Sequence, residues 1–342
     1  MLTMDVFKGD AFNAMELTDA LEKVPHKPQF LGGLGIFEPR PVRTEVIAIE
    51  QREGSLSIVQ TTPRGAPLET RSKDPRSIRN FNTSRVAKGD TLHASEIQGI
   101  RAFGRVSELE QVQEEVMRRQ LALKNDVELT HENMRLGAIQ GIVLDADASP
   151  IYNYFTEFGI TQATEIDFDL DNATPASGAV RKKCNQVVRQ MMKAAKGAWS
   201  PTTQVAALCG DTFFDDLVAH SEVRETYLNQ QAANSLRNDV GMVFDSVRYG
   251  NITFYNYRGT DDGTTVAIGD SLAKFFPIGA PGVFQHAMSP GESFDFVNTP
   301  GREHYSIIVP DEKRNMFVDI EVYSYPLMVC SRPEMLQRGR RT

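Results

Sequence analysis

RGAPLETRSKDPRSIRNFNTSRVAKGD (Arg64–Asp90) and SELEQVQEEVMRRQLALKNDVELTHENMRLGAIQG (Ser107–Gly141) are the stretches that decide how this chain is read. The first is polar, is interrupted by Pro67 and Pro75, and has little to bury. Between positions 64 and 88 it holds seven basic residues (Arg64, Arg71, Lys73, Arg76, Arg79, Arg85 and Lys88) against two acidic ones, Glu69 and Asp74. Such a run is either a solvated loop or a projecting two-stranded arm lying on an acidic face of an adjacent subunit. The residues before it, TEVIAIEQREGSLSIVQTTP (Thr44–Pro63), carry β-branched runs around a Glu53-Gly54 turn, as strands do.

The second stretch opens on Ser107 and Glu110 at capping-box spacing. Leu109, Val112, Val116, Leu123, Val127, Met134 and Ala138 then recur at helical intervals. One helix to about Gly141 is predicted, on the order of 50 Å long. Its polar positions (Glu108, Glu114, Arg118, Arg119, Lys124, Glu128, Glu132, Arg135) are read as outer faces for solvent or subunit contacts. Gln120 and Thr130 break the apolar seam, which excludes a sustained coiled coil. Neither the arm nor the helix can bury itself within one small domain. The layout is that of a subunit stabilised by neighbouring copies, and the seven basic residues are the expected subunit contacts.

Working outward, 342 residues allow two or three structural units, with 41% hydrophobic and 24% charged residues as in an ordinary globular chain. A net charge of -8 argues against a surface that grips nucleic acid throughout. The three cysteines, Cys184, Cys209 and Cys330, are far apart and read as reduced thiols. There is no CxxC pair and the six histidines are scattered, so no zinc site is expected unless the fold assembles one. The opening residues lack a basic leader with an apolar core, and no run is long and apolar enough to span a bilayer, so neither signal peptide nor membrane partner is expected.

Before the arm, a short helix is expected over Ala11–Val24, then an extended segment with apolar anchors Phe30, Leu31, Leu34 and Phe37. After the long helix, Ile142–Leu144 and Ile151–Phe155 read as a strand pair. TEIDFDLDN reads as a third strand with Ile166, Phe168 and Leu170 inward, and Thr174-Pro175 as the start of a helix running to Gly197. VAALCGD reads as a buried strand leading into a helix at Asp211. YGNITFYNY reads as a hairpin turning at Tyr249-Gly250-Asn251. VAIGD, SIIVPD and NMFVDIEVYSYPLMVCS read as further strands, and RPEMLQRGRRT as a basic, frayed tail.

Catalytic patterns fail on inspection. Asp167, Asp169 and Asp171 resemble a calcium loop, but its sixth and twelfth positions hold Asn172 and Gly178. PIGAPG lacks the lysine of a phosphate loop. Asp215-Asp216 and Asp261-Asp262 sit where solvated carboxylates are common, and His220 ends a helix. No catalytic residue, cofactor or metal ligand is assigned, and the chain is not expected to be an enzyme.

The order of these parts, with DVELTHENMRLGAIQG (Asp126–Gly141), YGNITFYNY and the closing YSYPLMVCSRPEML (Tyr323–Leu336), resembles the major capsid protein of tailed bacteriophages. The resemblance is to the lambda-like phage major capsid protein E family and spans nearly the whole chain. It implies an α+β architecture, the Hong Kong 97-type fold. Its parts would be an N-terminal arm (1–44), an extended loop (45–104), a peripheral domain with a spine helix (105–200), an axial domain (201–324), and a return strand with basic tail (325–342). It further implies pentamers and hexamers closing into an icosahedral shell around double-stranded DNA, packaged without sequence preference. Scaffolding, portal and decoration proteins would be partners, and the virion capsid, assembled in the host cytoplasm, the location. An encapsulin-like shell around cargo enzymes shares the fold and stands as the alternative, with a soluble α+β enzyme behind it.

Overall fold

The computed structural model describes residues 30–52, 76–98, 108–172, 174–229, 246–257 and 266–342. The helix expected over Ala11–Val24, the Glu53-Gly54 turn, the Ser107 cap, Asp261-Asp262, and Arg64, Arg71 and Lys73 lie outside them. The chain gathers into two compact units. One draws on Met1–Ala48, Asn80–Arg135 and Gln285–Val329, and the other on Ile49–Arg79, Leu136–Phe284 and Cys330–Thr342.

The first unit is built on the long helix. An antiparallel sheet of β13 (Tyr305–Pro310), β14 (Phe317–Ser324) and β4 (Val86–His93) lies in that order. Strand β14 alternates, burying Val318, Ile320 and Val322 on one face. Against that face pack Val112, Val116, Leu123 and Val127 of helix α3 (Glu108–Gln140), with Leu92 of β4. Each such side chain contributes roughly 1.5–3 kcal/mol on leaving water. The helix is 33 residues long, about 50 Å, as its periodicity predicts.

Its polar side departs from expectation. Lys124, Glu128, Glu132 and Arg135, read from sequence as an outer face, are at most 5% exposed, and His131 is fully buried. Periodicity marks the apolar stripe of a helix. It carries no information about a second, polar packing partner.

A second small sheet takes the order β1-β12-β15, from β1 (Glu38–Pro41), β12 (Phe284–Met288) and β15 (Pro326–Cys330). All of β15 is buried. The arm appears as a separate ladder of two strands, β2 (Val46–Arg52) and β3 (Arg76–Asn82).

The second unit carries a six-stranded sheet in which β7 (Ile166–Asp167) and β16 (Gln337–Arg340) are followed by β11 (Leu272–Ile278), β8 (Gln204–Cys209), β10 (Ile252–Asn256) and β9 (Ser246–Tyr249). Strand β8 sits between β11 and β10, the latter in a hairpin with β9. The hairpin turns where the sequence indicates. Gly250 and Asn251 both take positive φ, 57° and 65°, the signature of a type I′ turn. Helix α5 (Ala179–Ala194) buries Val180, Cys184, Val187 and Met191 in the same core as Phe254 and Phe275.

Four readings need correction here. Helix α5 starts at Ala179 rather than Thr174, because Gly178 adopts a left-handed conformation (φ 79°) that interrupts the run after Pro175. Of TEIDFDLDN, Ile166, Phe168 and Leu170 are buried as expected, but just Ile166–Asp167 (β7) joins a ladder. VAIGD buries Val266 and Ile268 without forming a strand, and the ladder is taken up by the next residues, Leu272–Ile278. The tail is not frayed. Gln337–Arg340 forms β16, between β7 and β11, with Gln337 and Gly339 buried. Its arginines find partners: Arg338 pairs with Glu165, Arg340 with Asp167, and Arg341 with Asp216.

Gly137, within α3, gives the packing a direct test. A Cβ there would lie 2.7 Å from Val143 Cα and 2.8 Å from the Ile142 carbonyl oxygen. Alanine improves helix propensity by about 1 kcal/mol, but overlap with backbone costs up to about 3 kcal/mol. Gly137→Ala is therefore expected to destabilise by about 2 kcal/mol in denaturant unfolding. A stabilised variant would show that the close approach is absent.

Candidate assembly interface

The basic cluster divides. Arg76 and Arg79 belong to β3, Arg85 precedes β4, and Lys88 lies within β4. Arg79 places its guanidinium over the Phe158 ring, 5.6 Å from the centroid. Arg85 Nε lies 3.3 Å from Glu292, and its guanidinium lies 5.1 Å from the Tyr323 centroid. Lys88 Nζ donates to Asp126 at 2.7 Å. Among the described residues, Arg79, Arg85 and Lys88 are thus engaged within their own chain. The arm also presents apolar side chains: Val46 and Ile78 are 48% and 63% exposed. At its root a cleft of about 970 Å³ is lined by Arg43, Thr44, Asn82, Arg85, Glu292 and Tyr325. Val297 also lines it, and Phe294, on the same turn, is 96% exposed.

A charge network adds to the β14 ladder in holding β4 against α3. Arg119, on α3, donates to Glu115 at 2.9 Å, to Asp90 at 3.1 Å and to the Thr91 carbonyl at 2.9 Å, and it also binds Glu96. Arg118 adds a bond to Glu115 at 2.6 Å. The guanidinium of Arg118, then that of Arg119, holds the Glu115 carboxyl down at about 2, against the opposing effect of burial. Burial alone would lower Arg119, but Glu115 and Glu96 carry it upward.

Further along α3 lies the buried polar cluster that sequence reasoning missed. His304 Nε2 and Glu128 Oε1 are 2.6 Å apart, and His131 Nδ1 is 4.0 Å from Glu128 Oε2. The His131 ring stacks on His304 at 5.4 Å and meets His286 edge-on at 5.7 Å. Arg135 reaches Glu128 and Glu132 at 3.7 Å and Glu303 at 3.4 Å. Glu132 also accepts from the backbone N–H of Leu31 at 2.8 Å, tying down one of the apolar anchors read from the sequence. Burial, reinforced by Arg135, drives His286 down to about 3. One ligand atom each from Glu128, His131, Glu303 and His304 lies within 4.8 Å of the others. The sequence signal was Glu128-x-x-His131, which shares one helix face, and adjacent Glu303-His304.

The cysteines are free and buried. Burial raises Cys184 and Cys330 to about 12 and pushes Cys209 up as well, which leaves them unreactive. Among the described residues no helix is long and apolar enough to cross a membrane.

Comparison with known proteins settles the class. The family described as Phage major capsid protein E matches residues 13–341. The chain belongs to that family. As a member of the phage major capsid protein E family it is a structural protein of the virion capsid and not an enzyme. It is 26% identical over 352 residues to a major capsid protein of Pseudomonas phage KPP10, covering 96% of this chain and 97% of the relative. It is 23% identical over 356 residues to that of Salmonella phage Felix O1, covering 95% of each. Among solved structures, the cyanophage P-SCSP1u capsid aligns with a TM-score of 0.54 at 9% identity, over 94% of this chain and 90% of that one. The α+β fold is the Hong Kong 97 type, as the resemblance implied.

The Glu115 network makes this capsid protein's acid response predictable. Its folded value lies below the ordinary 4.5, so its contribution is complete above about pH 4.5 and is lost as pH falls through about 2. Urea unfolding at successive pH values should find Glu115→Gln less stable than the native chain at pH 6, with the gap closing as pH approaches 2. A gap constant with pH would show that Glu115 acts by packing rather than charge.

Proposed function

We propose that copies of this chain assemble through the β2–β3 arm into pentamers and hexamers of an icosahedral shell around double-stranded DNA. The observation that carries this is the arm itself. It is a two-stranded ladder, too small to be stable alone, with exposed Val46 and Ile78 and, between its strands, the basic residues Arg64, Arg71 and Lys73. A neighbouring copy supplies what it lacks: strand-edge hydrogen bonds, apolar cover and carboxylates for its guanidiniums. Interfaces of roughly 1,600 Å² repeated around each subunit close a shell without any single tight contact.

In this reading 1–44 is the N-terminal arm, 45–104 the extended loop, 105–200 the peripheral domain, 201–324 the axial domain and 325–342 the return strand and tail. Strand β4 is built into the chain's own sheet, so the part of the loop given to a neighbour begins with the ladder of β2 and β3. Assembly proceeds in the host cytoplasm with a scaffolding protein, a portal and a decoration protein. Net charge -8 suits a shell that must let its DNA leave.

Arg79, Arg85 and Lys88 already have intramolecular roles, so the test uses the others. Arg71→Glu, Lys73→Glu and Arg76→Glu combined should abolish shells in negative-stain electron microscopy, with the circular dichroism and melting temperature of the isolated subunit unchanged. Shells of normal yield and diameter from the triple variant would refute the role given to the arm.

A further inference from the structure

We propose that Glu128, His131, Glu303 and His304 bind one divalent transition-metal ion, with zinc the ion whose chemistry they fit. Two carboxylates and two imidazoles are a ligand set zinc accepts in four-coordinate sites. Bond lengths of about 2.0–2.2 Å place tetrahedral ligands roughly 3.4 Å apart. The four donor atoms, within 4.8 Å of one another, therefore need to close by about 1 Å, which side-chain rotation provides. Glu128 and His131, three apart on α3, use the Glu-x-x-His spacing by which helices present a carboxylate and an imidazole to one ion.

The tautomer of His131 points the same way. Ser324 Oγ donates its single proton to the Glu303 carbonyl at 2.6 Å, because a carbonyl can only accept. The 3.0 Å contact from His131 Nε2 to the same Oγ must then be a donation from the ring. In the neutral imidazole this puts the lone pair on Nδ1, which faces Glu128 Oε2 across 4.0 Å. Two electron-rich atoms at that separation suit a cation about 2 Å from each. A ligating histidine whose other nitrogen is held by a fixed acceptor is the usual outer support of a metal site. His304 Nε2 lies 2.6 Å from Glu128 Oε1, so an ion bound there takes the place of the proton that the two atoms share.

Charge supports the assignment. Glu128, Glu132 and Glu303 against Arg135 give -3 + 1 = -2 with neutral imidazoles. Counting buried Lys124 as well leaves -1. Burying carboxylates is costly unless they are paired or coordinate a metal. Glu303, with its side chain 43% exposed, is the ligand in contact with solvent, while the other three are buried. The ion would fasten α3 to the segment that leads into β13.

The test titrates Zn²⁺ into the full-length chain after chelator treatment. One ion per chain is expected, with a Kd on the order of 1 μM or tighter. The zinc-edge X-ray absorption spectrum should show imidazole and carboxylate ligands without sulfur. His131→Gln and His304→Gln should each weaken uptake by about 100-fold, and Ser324→Ala, which keeps every ligand but frees the tautomer, by about 10-fold. His93→Ala, at an exposed histidine, should leave it unchanged. Failure of saturable uptake, sulfur ligation, or uptake that survives both histidine substitutions would overturn the proposal. Should those two variants not fold, the native spectrum and the Ser324→Ala affinity decide.

Discussion

The seam between α3 and the inner face of β14 is the constraint from which the first unit follows. An eight-residue strand rises about 27 Å, whereas a 33-residue helix runs about 50 Å. The sheet can therefore cover little more than half of α3, the part bearing Val112 to Val127. The remainder must be covered by something else. Met134, Leu136, Ala138 and Ile139 are buried there too, but the chain around Glu303-His304 and the backbone at Leu31 meet it through polar contacts. The apolar half of the helix supplies stability. The charged half fixes register, because ion pairs and imidazole contacts tolerate little sliding.

Much of this was readable from side-chain periodicity. The long helix, the alternation of β14, the type I′ turn at Gly250-Asn251 and the burial of Ile166, Phe168 and Leu170 all follow from local rules that tertiary contacts reinforce. Three things were not readable, for one shared reason. Glu128 and Glu132 look like solvent-facing charges, Arg338 and Arg340 like a frayed tail, and His286 and His304 like strays. In each case the deciding partner lies more than 100 residues away: Glu132 with Leu31, Arg340 with Asp167, His304 with Glu128. Composition registers that a residue is charged, and only the fold says what answers the charge. The arm charges split on the same principle, since Lys88 meets Asp126 through a register that no local pattern encodes.

The distribution of chemistry suits a shell protein. Its reactive groups are disarmed: thiols are buried and hard to ionise, and carboxylates are committed to guanidiniums or imidazoles. What is left outward is shape and a few unattended apolar side chains, Phe294 foremost. A protein that must meet many copies of itself gains from such restraint, because repeated weak contacts can be corrected during growth whereas strong ones trap errors.

The position of β16 has a temporal consequence. It lies inside the six-stranded sheet, with Gly339 opposite Ile166 on one side and Ala273 on the other. During synthesis, β7 and β11 wait with an unpaired strand slot between them until residues 337–340 leave the ribosome. Pairings that span so much sequence form late. A subunit made as far as Arg332 consequently lacks the strand that joins β7 to the rest of its sheet.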